Sequence, residues 1–188
     1  MHQPILIIAC GGKSERMGTD KCLLDYHGKP QYQHLEELLK PHFPEIYFSI
    51  RKEQVISFDS CKNIITDNEK VAGHGPISGL LSCIEVFPKR NLLFIGCDYP
   101  LLLLEDVKKL TSDLLPESSS AYFDLYYEPL LAFYNKNCFK ELISEYNNGN
   151  YSLQNFLNKI SAIKIIADDK KRIKGIDTLE EFKAQFTK

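Results

Sequence analysis

Ile5-Leu6-Ile7-Ile8-Ala9-Cys10-Gly11-Gly12-Lys13-Ser14-Glu15-Arg16-Met17-Gly18-Thr19-Asp20-Lys21 is the stretch from which the rest of the chain is read. Its first four residues form a continuous aliphatic run, too short for a helix, which predicts a strand buried on both faces of a parallel sheet. The glycine pair stands at the strand's carboxyl end, where the missing Cβ atoms let backbone approach a ligand. Lys13, Arg16 and Lys21 follow closely. A turn rich in glycine and cations after a first strand is where an α/β sheet binds phosphates. The competing reading is a surface turn whose cations are merely solvated.

Outward from this loop, strand and helix patterns alternate. Gln31 to Lys40 has helical spacing at Leu35, Leu38 and Leu39, and Pro41 and Pro44 end it. Ile46–Ile50 and Asn63–Thr66 read as strands, and Cys22–Asp25 as a short extended piece before the turn His27-Gly28-Lys29-Pro30. Pro76 suits a first helical position, with Ile77, Leu80, Leu81 and Ile84 behind it. Leu92 to Ile95 marks a central strand ending near Asp98. A helix is predicted from Leu104 to Leu115, strands over 121–125 and 130–134, and helices carrying Phe139, Leu142, Ile143 and Tyr146, then Leu153, Phe156, Leu157 and Ile160. Ser152 is the expected cap of the latter. Ile163–Ala167 reads as a strand, Asp168–Arg172 as a solvated charged turn, and Thr178 with Glu181 as a capping box opening a last helix. The alternation predicts an α/β, Rossmann-like three-layer sandwich on a mostly parallel sheet, one domain over 1–188.

Composition narrows the function classes. The 188 residues are 44% apolar and 26% charged, with net charge −2, an ordinary globular balance that suggests neither a nucleic-acid polymer nor a membrane as partner. No apolar run reaches the length of a membrane span, and Met1-His2-Gln3-Pro4 has no basic region ahead of a long apolar one, so a cytoplasmic protein is expected. The six cysteines show neither paired nor metal-type spacing and read as small apolar residues in a reducing compartment. His2 and His34 read as solvent-exposed. Asp98, directly after a central strand, stands where a carboxylate can hold Mg²⁺ between phosphates; capping a following helix is the alternative.

Two familiar phosphate loops do not fit. The P-loop's first glycine would fall at Ile7, and the dinucleotide fingerprint lacks a glycine between Gly12 and Gly18. The remaining pattern, G-G-x-S-x-R-M-G-x-D-K, resembles the signature loop of the nucleotidylyltransferases, and most closely that of the molybdenum cofactor guanylyltransferases, with Ala9 and Cys10 in place of the usual L-A. Gly75-Pro76-Ile77-Ser78-Gly79 is similar to the family's G-P-L-x-G segment, and Cys97-Asp98-Tyr99-Pro100 to its C-D-x-P motif with a larger residue at Tyr99. Glu128-Pro129 stands for a His-Pro pair bordering the acceptor. Gly175, Asp177 and Leu179 replace two asparagines and a proline in the closing segment.

The resemblance implies transfer of GMP from GTP to molybdopterin bearing molybdenum, with Mg²⁺ as cofactor and transient contacts with cofactor-biosynthesis or acceptor proteins. Arg16, Lys21 and Asp98 would be catalytic. Ala9, Cys10, Gly11, Gly12, Lys13, Lys21, Ser49, Asp67, Gly75 and Asp98 would bind the nucleotide. Asp98 would hold the metal, and Asp177 is a candidate acceptor or second metal site, with helix capping as its alternative. Physical reading alone stops at a nucleoside triphosphate. A related transferase using CTP or a sugar-phosphate acceptor, and a non-catalytic GTP-binding adaptor, both stay open.

Overall fold

A computed structural model describes residues 3–12, 19–59, 61–112, 114–176, 178 and 180–181. The strands are β1 (Ile5–Ala9), β2 (Ile46–Ile50), β3 (Ile64–Thr66), β4 (Leu92–Gly96), β5 (Ser120–Phe123), β6 (Tyr127–Tyr134) and β7 (Ile163–Ile165). The helices are α1 (Gln31–Leu39), α2 (Pro76–Val86), α3 (Leu104–Lys109), α4 (Phe139–Asn147) and α5 (Leu153–Lys159). One sheet carries all seven strands in the order β3-β2-β1-β4-β6-β5-β7. β1 pairs in parallel with β2 and β4, and β6 runs antiparallel to both its neighbours, β4 and β5.

The period of two along the strands builds the two core layers. Leu6 and Ile8 of β1 pack with Tyr32, Leu35 and Leu39 of α1 and Val107 of α3. Ile5 and Ile7 face the opposite way, against Ile77, Leu80 and Ile84 of α2, Leu142 of α4 and Leu157 of α5. This is the expected three-layer sandwich. All four residues Ile5–Ile8 are fully buried, which explains why their sequence shows no polar alternation.

Several expected boundaries move. Lys21–Leu23 is a 3₁₀ turn rather than extended, and Asp25 begins a turn by accepting from the His27 amide at 3.1 Å. α3 stops at Lys109, where Thr111 and Ser112 hydroxyls both donate to the Lys108 carbonyl oxygen at 3.0 Å and divert an acceptor a longer helix would use. β6 starts at Tyr127, three residues before the expected strand, and contains Pro129. That proline lies outside the residues paired with β4 and beside the register shift against β5, so its missing N–H removes no ladder bond. His34 is half-buried and stacks on His27, with ring centroids 3.8 Å apart. Ile143 is 41% exposed rather than inward. Ser152 caps α5 as expected, its Oγ accepting from the Asn155 amide at 3.2 Å. Thr178 and Glu181 make the reciprocal capping-box bonds; the helix expected beyond them lies mostly outside the described residues, as does the exposure expected of His2.

Candidate active site

β1 is the point where the sheet's connections diverge: α1 leads from β1 to β2 on one face, and α2 leads from β3 across to β4 on the other. Such a divergence opens a crevice at the strands' carboxyl ends. A cavity of about 870 Å³ occupies that place. Ala9, Cys10, Gly11 and Gly12 form one wall, and Ser49 and Asp67 close it at the ends of β2 and β3. Gly75, at the start of α2, and Asp98, after β4, complete the opposite side. Lys21 returns to the same cavity, its Nζ 3.9 Å from Asp98 Oδ2. Every site residue expected from the sequence that falls among the described residues therefore meets at one cavity. Lys13, Arg16 and Asp177 lie outside the described residues.

Asp98 does not cap a helix. The N-cap of α3 is Leu103, whose amide donates to Asp106 Oδ2 at 3.0 Å. Asp98 instead sits in a turn whose carbonyl oxygen accepts from the Ile176 amide at 2.9 Å. A Cβ on Gly96 would stand 2.5 Å from Asp98 Oδ1, and one on Gly175 3.3 Å from Oδ2. Gly175, standing where the resembling family has an asparagine, leaves the space that the Asp98 carboxylate occupies. The departures at Tyr99 and Glu128 answer each other: the Tyr99 hydroxyl donates to Glu128 Oε2 at 3.2 Å.

α2 presents its first turn to the cavity. Gly75 has φ 74° and ψ −147°, a conformation nearly confined to glycine. Gly79 lets the helix settle against β2, because a Cβ there would lie 2.7 Å from Ser49 Oγ. Burial raises the pKa of the Asp67 carboxyl, and the Arg51 cation partly opposes the shift.

Sequence reasoning missed Arg51, Gly79, Phe94, Cys97 and Leu130 as cavity-lining residues. Position alone could have found two of them: Arg51 and Cys97 are the first residues past β2 and β4, as Cys10 is past β1. The scattered cysteines also gather here. The thiols of Cys10, Cys22 and Cys97 perturb one another: Cys10 and then Cys97 lower the pKa of Cys22, while burial raises that of Cys10. Among the described residues no group of three His, Cys, Asp or Glu side chains could hold a metal by itself. A lone carboxylate fits Mg²⁺, which binds through one or two carboxylates plus substrate phosphates and water.

The sequence pattern of the MobA-like NTP transferase domain matches residues 6–163. The chain belongs to this family. It is accordingly a nucleotidyltransferase, and the cavity is where its motifs converge. The chain is 27% identical over 166 residues to a probable molybdenum cofactor guanylyltransferase of Bacillus licheniformis, covering 87% of this chain and 85% of that one. It is 33% identical over 106 residues to the molybdenum cofactor biosynthesis bifunctional protein of Synechocystis, covering 55% of this chain but only 30% of that protein's length. The fold matches the crystal structure of molybdopterin-guanine dinucleotide biosynthesis protein A from Archaeoglobus fulgidus, with TM-score 0.79, 21% identity and 96% of each chain covered.

Proposed function

We propose that this enzyme transfers GMP from GTP to molybdopterin carrying molybdenum, releasing pyrophosphate. The observation that carries the reading is the meeting of the glycine loop, Lys21 and Asp98 at one cavity on the carboxyl edge of the sheet. The guanylyltransferase names of relatives aligned along most of the chain supply the base and the acceptor.

In this reaction an acceptor phosphate oxygen bonds to the α-phosphorus of GTP. The bond from that phosphorus to the α–β bridging oxygen breaks, and pyrophosphate leaves with the electron pair. Both reactants are polyanions, so the protein's work is alignment and charge neutralisation rather than covalent catalysis. Loop amides after β1 approach the nucleotide without Cβ interference. Lys21 offers a point charge beside the reacting phosphate, and Arg16 a fork for the β and γ oxygens. Ser49 and Asp67 supply acceptors for base and ribose at the far end. Mg²⁺ held by Asp98 and phosphate oxygens would offset charge on the leaving group. Six free cysteines and the lack, among the described residues, of any helix long and apolar enough to cross a membrane support a cytoplasmic location.

The test is pyrophosphate release with GTP, CTP and ATP, each with and without molybdenum-loaded molybdopterin. Release that needs both GTP and the acceptor is expected. Turnover with CTP would move the enzyme to another nucleotide, and GTP binding without release under any condition would make it an adaptor.

A further inference from the structure

The loop between β1 and Lys21 is gripped by two side chains that the reaction scheme does not use. Arg51, the residue after β2, donates from Nη2 to Asp20 Oδ1 at 2.8 Å. Its side chain also lies beside Gly11, since a Cβ there would stand 3.6 Å from Arg51 Cγ. Gln54 is 2% exposed. Its Oε1 accepts from the Arg51 amide at 2.8 Å, and its Nε2 donates to the Cys10 carbonyl oxygen at 3.0 Å. The same Nε2 lies 3.9 Å from Cys22 Sγ. The pair therefore touches the residue before the glycines and the residues on both sides of Lys21.

We propose that Arg51 and Gln54 are positioning residues that clamp the two ends of the phosphate loop to the end of β2, and so set where Lys21 stands relative to Asp98. The assignment rests on the transfer reading above for the role of Lys21. A cation on a loop stays in register with a carboxylate on another strand when the shell that supports it is fixed. The Arg51–Asp20 side chains are 24% and 22% exposed, a partly buried ion pair that fixes the loop's end beside β2.

The experiment is a double-mutant cycle of Asp20→Asn and Arg51→Gln, with Arg51→Lys and Gln54→Leu beside it. Each variant is read by melting temperature, by kcat and KM for GTP in pyrophosphate release, and by the acylation rate of the Lys21 amine with an N-hydroxysuccinimide ester, mapped by mass spectrometry. Asp20→Asn and Arg51→Gln should each lower kcat by about ten- to a hundredfold with a smaller change in KM. Their combination should cost no more than either alone, because one contact is lost only once. Arg51→Lys should recover part of the rate, and Gln54→Leu should share the kcat loss. Lys21 acylation, measured well below each variant's melting temperature, should change severalfold in every variant that cuts the clamp. An Arg51 effect confined to KM and absent in Asp20→Asn would make Arg51 a nucleotide contact and overturn the clamp. Wild-type Lys21 reactivity in Asp20→Asn and Arg51→Gln would overturn it as well. If the wild-type enzyme releases no pyrophosphate from GTP, the function reading fails, while the acylation measurement still decides the clamp.

Discussion

Asp98 is held by what surrounds it: the Ile176 amide fixes its carbonyl oxygen, and Gly96 and Gly175 leave room for its two carboxylate oxygens. Asp98 caps no helix, and asparagine keeps its size and one acceptor oxygen, so Asp98→Asn should leave the melting temperature nearly unchanged while kcat falls about 100-fold or more. Raising magnesium should recover part of the rate; wild-type activity with wild-type magnesium dependence would remove Asp98 from the site. Asp67 carries the opposite cost. Burial raises its pKa above the unfolded value, so the folded state binds the proton more tightly. Its destabilising effect is absent below about pH 4, where both states are protonated, and is complete once pH exceeds the folded-state value. Asp67→Asn should therefore be more stable than wild type at pH 7, and the gain should vanish on acidification. Urea midpoints across that range measure it. A loss of stability in Asp67→Asn at pH 7 that faded on acidification would show that the Arg51 attraction outweighs burial.

Among the elements, α3 is the one whose end chemistry reaches the site indirectly. Asp106, 1% exposed, accepts from the Leu103 amide and lies 3.4 Å from Arg172 Nη2. Arg172 belongs to the charged run read from sequence as a solvated turn; it instead ties the segment leading to Gly175 and Ile176 back onto α3. Asp106→Ala should cost about 2–4 kcal/mol, since it removes a cap and leaves the partly buried Arg172 guanidinium with only the exposed Asp168 carboxylate, 3.8 Å away. Asp106→Asn keeps the acceptor for Leu103 and should cost less. Chemical denaturation orders the two, and equal losses would mean that the charge, rather than the cap, matters.

At the scale of the whole molecule, the sheet order puts the ends of β1, β2, β3 and β4 around one crevice, and α2 closes it from one face. A nucleotide bound there bridges several elements that must separate on unfolding, so binding and global stability are linked. GTP at about 100 times its Kd should stabilise the fold by about 2.7 kcal/mol, and at this chain length raise the melting temperature by roughly 5–10 °C. CTP at the same concentration should shift it less. Equal shifts would place base selection elsewhere than in Ser49 and Asp67.

Local chemistry was legible in the sequence. The run Ile5–Ile8, the glycine pair and the cations after it, Pro76 at the head of a helix, and Asp98 after an apolar run each follow from short-range rules of strand burial, backbone access and helix entry. Those rules brought part of the cavity's described wall into view before any coordinates. What only the tertiary structure decided depends on distance across the sheet. Nothing local to Arg51 or Gln54 says that they reach Asp20 and Cys10, and nothing in the spacing of Cys10, Cys22 and Cys97 says that they meet. Nothing local to Gly175 says that it makes room for Asp98, which is far away in sequence. Pro129 fell outside the expected strand over 130–134 because the register shift that accommodates it belongs to two strands at once. Periodicity and turn chemistry act over a few residues, whereas these contacts exist only after strand order has set which chain segments stand side by side.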